Sequence, residues 1–152
     1  MHGSLGRVAA LTSLVLLTLA GTAAAAPTPW GGQGFNDLGP AYAVLTVANG
    51  KAKVSNVQMI LACTDTGDGT ESSRAFDARY RTAVPLNRNR YAFDFTARSN
   101  GRLGRVRLNG VLRSNGTGTI RVRIEAVANS DEGAVIERCQ GETRFALRRG
   151  PN

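Results

Sequence analysis

The stretch Tyr91–Ala128, YAFDFTARSNGRLGRVRLNGVLRSNGTGTIRVRIEAVA, alternates apolar and polar residues through three runs separated by two Ser-Asn-Gly turns. Side chains on a strand alternate between faces with a period of two, whereas an amphipathic helix repeats every 3.6 residues, so strands satisfy this pattern and a helix does not. It predicts a three-stranded antiparallel meander. With Ser99–Arg102 as a four-residue loop, Arg98 pairs with Leu103. Phe95 then lies across from Val106, Phe93 across from Leu108 and Tyr91 across from Gly110 on the apolar face, the last an aromatic over a strand glycine. On the polar face the same register sets Asp94 opposite Arg107. Pairing Arg113 with Thr119 across Ser114–Gly118 sets Arg107 opposite Glu125, so the expected ladder is Asp94, Arg107, Glu125.

The rest of the chain reads in the same language. Asn49-Gly50 follows Ala41–Ala48 and supplies the positive φ angles of a two-residue type I′ turn, which predicts a hairpin with Leu45 facing Val54 and Val47 facing Ala52. The inward parity then switches from even (Ala52, Val54) to odd (Val57, Met59, Leu61, Cys63), so one extra residue is expected near Ser55-Asn56, as a β-bulge. Thr64–Ser73 reads as a polar loop. Ala75–Leu86 alternates with Phe76, Ala78, Tyr80, Thr82, Val84 and Leu86 on one face, and Pro85 ends the strand or confines it to an edge. Ala134–Arg148 is a last strand with Cys139, Gly141, Thr143, Phe145 and Leu147 inward. Pro27–Pro40, with three prolines and four glycines, has no period and reads as an irregular arm in which one or both of Trp30 and Phe35 tuck against the sandwich edge or offer a platform to a sugar ring.

Seven strands and no capped amphipathic helix predict an all-β fold: a single antiparallel β-sandwich of about seven strands over 41–149, with a partly open β-barrel as the alternative. Residues 1–26 read as a secretory signal peptide, with the apolar run Val8–Ala20 and the small residues Gly21–Ala26 placing cleavage within 24–26. That run is about 13 residues against the roughly 20 that span a bilayer, so no membrane span is expected after cleavage. About 126 residues then remain, enough for one domain with its own core. Export to an oxidising compartment makes the two cysteines, Cys63 and Cys139, a disulfide tying the strand after Asn49-Gly50 to the last one. The only histidine, His2, lies in the signal segment, which leaves no metal-ligating or catalytic histidine in the mature chain.

Nineteen basic residues face 11 acidic ones, and all but Lys51 and Lys53 are arginine. Arg98, Arg105, Arg107, Arg113, Arg121 and Arg123 fall on the solvent face of the meander and form the candidate binding surface. Because the meander's aromatics all share the opposite face, the stacking that marks single-stranded nucleic-acid binding is missing, and sequence-specific nucleic-acid recognition is not expected. A polyanionic glycan or a cell-envelope component is the partner class that the charge favours. Asp65, Asp68 and Glu71 are the one cluster of acids and the candidate calcium ligands, although their i, i+3, i+6 spacing differs from the alternate spacing of EF-type loops.

Asp65-Thr66-Gly67 resembles the Asp-Thr-Gly of retroviral-type aspartic proteases, small β homodimers with one aspartate per subunit, but polar Thr64 stands where that family has an apolar residue. The strand ending in Cys63, the Phe76 strand, the GRLGRVRLNG segment and the terminal RCQGETRFAL together resemble small exported β-sandwich proteins of actinobacteria without assigned activity. That resemblance implies no catalytic residues. The expected function is a secreted, extracellular or wall-associated non-catalytic domain that needs no cofactor. The alternative is a hydrolase or calcium-dependent module built on Asp65, Asp68 and Glu71.

Overall fold

The computed structural model describes residues 26–150. Apart from Ala26, the expected export segment lies outside the described residues. Eight antiparallel strands form one sheet: β1 (Thr28–Asn36), β2 (Gly39–Ala48), β3 (Lys51–Asp65), β4 (Glu71–Pro85), β5 (Arg90–Ser99), β6 (Arg102–Leu112), β7 (Thr117–Asn129) and β8 (Val135–Arg149). Their order is β4-β3-β2-β1-β8-β7-β6-β5, with a further β3–β8 pairing. The sheet doubles over, and its two halves share one core. Phe76 of β4 sits where a side chain on Gly104 of β6 would be, and Leu61 and Met59 of β3 fill the space beside Gly141 of β8. Each strand contributes alternate apolar residues to this core, as the period of two requires.

Two turns set the registers that the sequence predicts. Asn49 (φ 51°) and Gly50 (φ 69°) form the two-residue turn that pairs Ala48 with Lys51 and Leu45 with Val54. Asn100 (φ 49°) and Gly101 (φ 77°) form another, so Ser99 pairs with Arg102 and the β5–β6 loop has two residues instead of four; the expected partners Phe95–Val106, Phe93–Leu108 and Tyr91–Gly110 all hold. The bulge near Ser55-Asn56 is present: Val44 pairs with Asn56 and Leu45 with Val54, leaving Ser55 unmatched. Tyr91 lies over Gly110 and donates its hydroxyl to the Thr119 carbonyl oxygen at 3.0 Å. A Cβ on Gly110 would fall 1.9 Å from that carbonyl oxygen and 2.4 Å from the tyrosine hydroxyl.

Three expectations are corrected. The segment read as an irregular arm contains a strand, β1, making eight strands instead of seven. Its glycines are there for close approach, since a Cβ on Gly32 would lie 2.1 Å from the Ala146 carbonyl oxygen and one on Gly34 would lie 2.6 Å from Phe145 Cβ. Trp30 is consequently a core residue, 5% exposed.

The β6–β7 register is shifted by two residues, because Val111 and not Arg113 pairs with Thr119. Gly116 (φ 80°) takes the left-handed conformation, and Arg113 N–H donates to the Thr117 carbonyl oxygen at 2.8 Å, closing a three-residue loop in place of the expected five. In β4, Thr82 points to solvent because the ladder slips between Tyr80 and Val84 opposite Lys53, so a bulged and arginine-flanked strand forms the sheet edge.

The β1–β2 hairpin, of 9 and 10 residues, is shorter than β3 and β8, of 15 each. Beyond its tip β3 and β8 pair directly, and Cys63 and Cys139 are register partners there, joined by a disulfide with Cα atoms 4.0 Å apart. The tip is pinned at both sides. Asn36 Nδ2 donates to the Ile60 carbonyl oxygen at 2.7 Å and Thr143 Oγ1 to the Phe35 carbonyl oxygen at 2.8 Å. At the opposite ends of the sheet, no ladder joins β4 to β5 among the described residues.

Candidate anion-binding face

The outer face of β5–β8 is built of transverse rows of side chains, one from each strand. The registers set Asp94, Arg107, Arg123 and Glu142 in one row, Thr96, Arg105, Glu125 and Gln140 in the next, and Ala92, Asn109, Arg121 and Arg144 on the other side. Arg107 and Arg123 are thus direct neighbours, a like-charge pair that costs stability unless an acid separates them. Glu125 does so, accepting from Arg107 at 2.9 Å and from Arg123 at 2.6 Å. The anticipated Asp94–Arg107–Glu125 ladder is therefore altered. Asp94 and Arg107 are register partners, but Asp94 takes a bidentate pair from Arg105 at 2.8 and 2.6 Å, one diagonal away, and Arg107 reaches diagonally to Glu125.

Hydrogen bonds from Arg105 hold the Asp94 carboxyl below the usual carboxylate range, and Asp94 in turn raises the Arg105 guanidinium. Arg121 is paired too, with Glu142, at 2.5 Å. Of the six arginines that the sequence assigns to this surface, Arg105, Arg107, Arg121 and Arg123 are therefore compensated. Arg98 lies on the face near the β5–β6 turn and Arg113 in the β6–β7 loop, both exposed and without an ion-pair partner among the described residues.

More uncompensated charge lies beyond them. A groove of about 740 Å³ opens at the end of this face, between the end of β4 and the start of β5, lined by Val84, Pro85, Asn87, Arg90, Tyr91, Ala92, Asn109, Gly110, Val111, Thr119, Arg121 and Arg144. No carboxylate is among these residues. Arg144 is outward on β8 by parity with inward Thr143 and Phe145, and Arg90 closes the Asn87–Arg90 turn, but their convergence depends on the packing of distant strands. Arg88 and Asn89 in that turn adopt positive φ values of 50° and 64°, and Asn87 and Arg90 exchange backbone hydrogen bonds at 2.9 Å, which fixes where Arg90 emerges.

The candidate calcium ligands Asp65, Asp68 and Glu71 lie at the other end of β4, where it follows β3. The polar loop is shorter than Thr64–Ser73, with Thr64 and Asp65 in β3 and Glu71 in β4. Asp65 Oδ1 accepts from the amides of Gly67 (2.7 Å) and Asp68 (3.3 Å), and Asp68 Oδ1 from the amide of Thr70 (2.8 Å). Hydrogen bonds from the Thr70 side chain and amide keep Asp68 below its ordinary range. Two self-contained Asx turns account for both aspartates. Glu71 stands on the neighbouring strand, paired with Thr64.

Among the described residues, the one group of three potential metal ligands within 4.8 Å of one another is Cys63, Glu137 and Cys139. Both sulfurs are spent in the disulfide, and a metal needs the thiolate. Glu137, 9% exposed, is instead held by a close ion pair with Arg102, whose Nε donates at 2.6 Å, by Arg74 at 3.4 Å and by the Ser72 hydroxyl at 3.4 Å. Sequence reading missed this buried carboxylate, although its parity, two residues before inward Cys139, points it inside. Comparison with family models, with curated proteins and with solved structures returned no match to this chain.

Proposed function

We propose that this chain is an exported, non-catalytic binding domain whose partner is a polyanion, a glycan or envelope component met outside the cell. The observation that carries the reading is the excess of arginine on the outer face of β5–β8, where Arg98, Arg138 and Arg144 have no carboxylate partner among the described residues and stand beside a row of compensated ones. Arginine forks match sulfate, phosphate and carboxylate geometry, and a surface with one excess sign draws in ligands of the other. Inward-pointing Tyr91, Phe93 and Phe95 leave that face without aromatic platforms, which supports a charge-read polymer over a base-stacking one. The likeness to exported actinobacterial β-sandwich proteins belongs to the same reading.

The test is retention on immobilised heparin under a rising salt gradient. Elution well above physiological ionic strength, about 0.15 M, is expected; elution at or below it overturns the proposal.

A further inference from the structure

We propose that the groove between the end of β4 and the start of β5 seats a short stretch of an anionic glycan laid across the strands, with one acidic group at Arg90 and another at Arg144. This rests on the polyanion reading and narrows it to a place, a direction and a minimum ligand. Arg90 and Arg144 have no ion-pair or side-chain hydrogen-bond partner among the described residues, and neither do the side-chain amides of Asn87 and Asn109. Four sets of donors thus face a concavity of about 740 Å³ with no acid in its wall, within the size range of built ligand sites.

The two free guanidiniums belong to different strands at opposite sides of the groove. Ala92 pairs with Asn109, Asn109 with Arg121 and Arg121 with Arg144, so three strand spacings, or about 14 Å, separate β5 from β8. Ala92, Asn109, Val111 and Thr119 lie between, with Arg121, whose guanidinium is engaged by Glu142, beside Arg144. A single inorganic anion cannot bridge that span, whereas a chain with acidic groups on successive or alternate sugars can. Val84 and Pro85 offer an apolar wall to the sugar rings. No exposed aromatic lines the groove, because Tyr91 is buried with its hydroxyl committed to Thr119, and this favours a glycan over single-stranded nucleic acid.

Titration calorimetry on residues 27–152 tests this with a heparin-derived tetrasaccharide, a galacturonate tetramer, cellotetraose, inorganic sulfate and a short oligothymidylate. The sulfated or the uronic tetramer binds, the tighter of the two identifying the anion, and cellotetraose and sulfate do not. Arg90→Ala with Arg144→Ala weakens that binding at least tenfold, each single change weakens it less, and Arg79→Ala, an exposed arginine of β4 outside the groove, stays within threefold. Both groove residues are exposed and unpaired, so thermal melting of the variants should match the parent. If the double variant binds tetramer like the parent while heparin retention persists, the groove is wrong and the broader face reading stands. If the parent shows neither tetramer binding nor heparin retention, both fall. Binding of cellotetraose, or tighter binding of the oligothymidylate, overturns the anionic-glycan assignment.

Discussion

Two junctions, β3 with β8 and β4 with β5, join strands that are not neighbours in the sheet order, and they are built in opposite ways. At the β3–β8 junction, four register pairs, a disulfide between direct partners and the half-enclosed Arg102–Glu137–Arg74 cluster join backbone, covalent and ionic contacts within a few residues. At the β4–β5 seam there is no ladder. Ser99 stands in for one rung, its hydroxyl accepting from the Asp77 amide at 3.0 Å and donating to Asp77 Oδ1 at 3.1 Å, and Asn100 donates to the Ala75 carbonyl oxygen at 3.2 Å. Farther along, Tyr80 stacks on Phe95 with ring centroids 4.5 Å apart and meets Phe93 edge-on at 6.0 Å. The first junction resists opening, and the second holds two strand edges together through side chains alone. The proposed groove lies at the end of the seam, beside the Asn87–Arg90 turn that joins the two strands.

The largest expected effect comes from cutting the lock. Cys63→Ser with Cys139→Ser releases a loop closed across 76 residues, for which chain entropy gives up to about 4 kcal/mol. A loss below about 1 kcal/mol in urea unfolding would mean that strand register alone secures the junction. Next, Glu137→Ala strands Arg102, whose side chain is only 14% exposed. The cost should be about 2–3 kcal/mol, below the 3–5 typical of a fully buried pair because Arg102 can reach water.

On the open side, Tyr80→Ala removes a half-buried ring and should cost about 1–2 kcal/mol. Hydrogen exchange sharpens the contrast, with amides of Arg79–Ala83 expected to exchange faster than those of Leu61–Cys63. A seam variant costlier than the lock variants would invert the comparison.

The smallest effects are pH-dependent. Burial pushes the Tyr91 phenol above its ordinary value, so in the folded chain it keeps its proton where the unfolded chain begins to lose it, near pH 10. Stability from this group is complete below that pH and falls as pH rises further. Tyr91→Phe gives up the Thr119 hydrogen bond, about 1 kcal/mol, and flattens that alkaline decline in thermal melts taken across it. Asp94 has the opposite sign. Its depressed carboxyl contributes above the unfolded value, near pH 3.9, and the contribution fades as pH falls through the lower folded value; Asp94→Asn should remove that acid-side slope.

Much of this was legible before any coordinates. Asn49-Gly50 set one hairpin register, because only residues that tolerate left-handed φ close so short a turn; the β5–β6 register was legible too, although its two-residue turn read as a four-residue loop, Ser99–Arg102. The parity switch at Ser55 exposed the bulge, since a strand cannot change its inward face without an extra residue. The β6–β7 register was missed because Ser114–Gly118 contains two glycines, and either could have taken the left-handed position that Gly116 occupies. That two-residue difference preserved which face each side chain occupies while changing every cross-strand neighbour. Arg107 thus came to lie opposite Arg123 instead of Glu125.

Strand alternation, the all-β fold and the separation of apolar from arginine-bearing faces follow from the sequence alone, because they depend on the period of two and on local turn chemistry, and the disulfide partners follow because the chain has only two cysteines. Tertiary structure decided that the glycine-rich start is a strand, that Glu137 is buried, and which arginines remain uncompensated. These depend on contacts between residues remote in the chain. β8 presses on β1 closely enough to require glycine, and guanidiniums reach diagonally to acids on whichever strand lies beside them. Arg90 and Arg144, which no periodicity relates, share a groove only because four strands place them on its two sides.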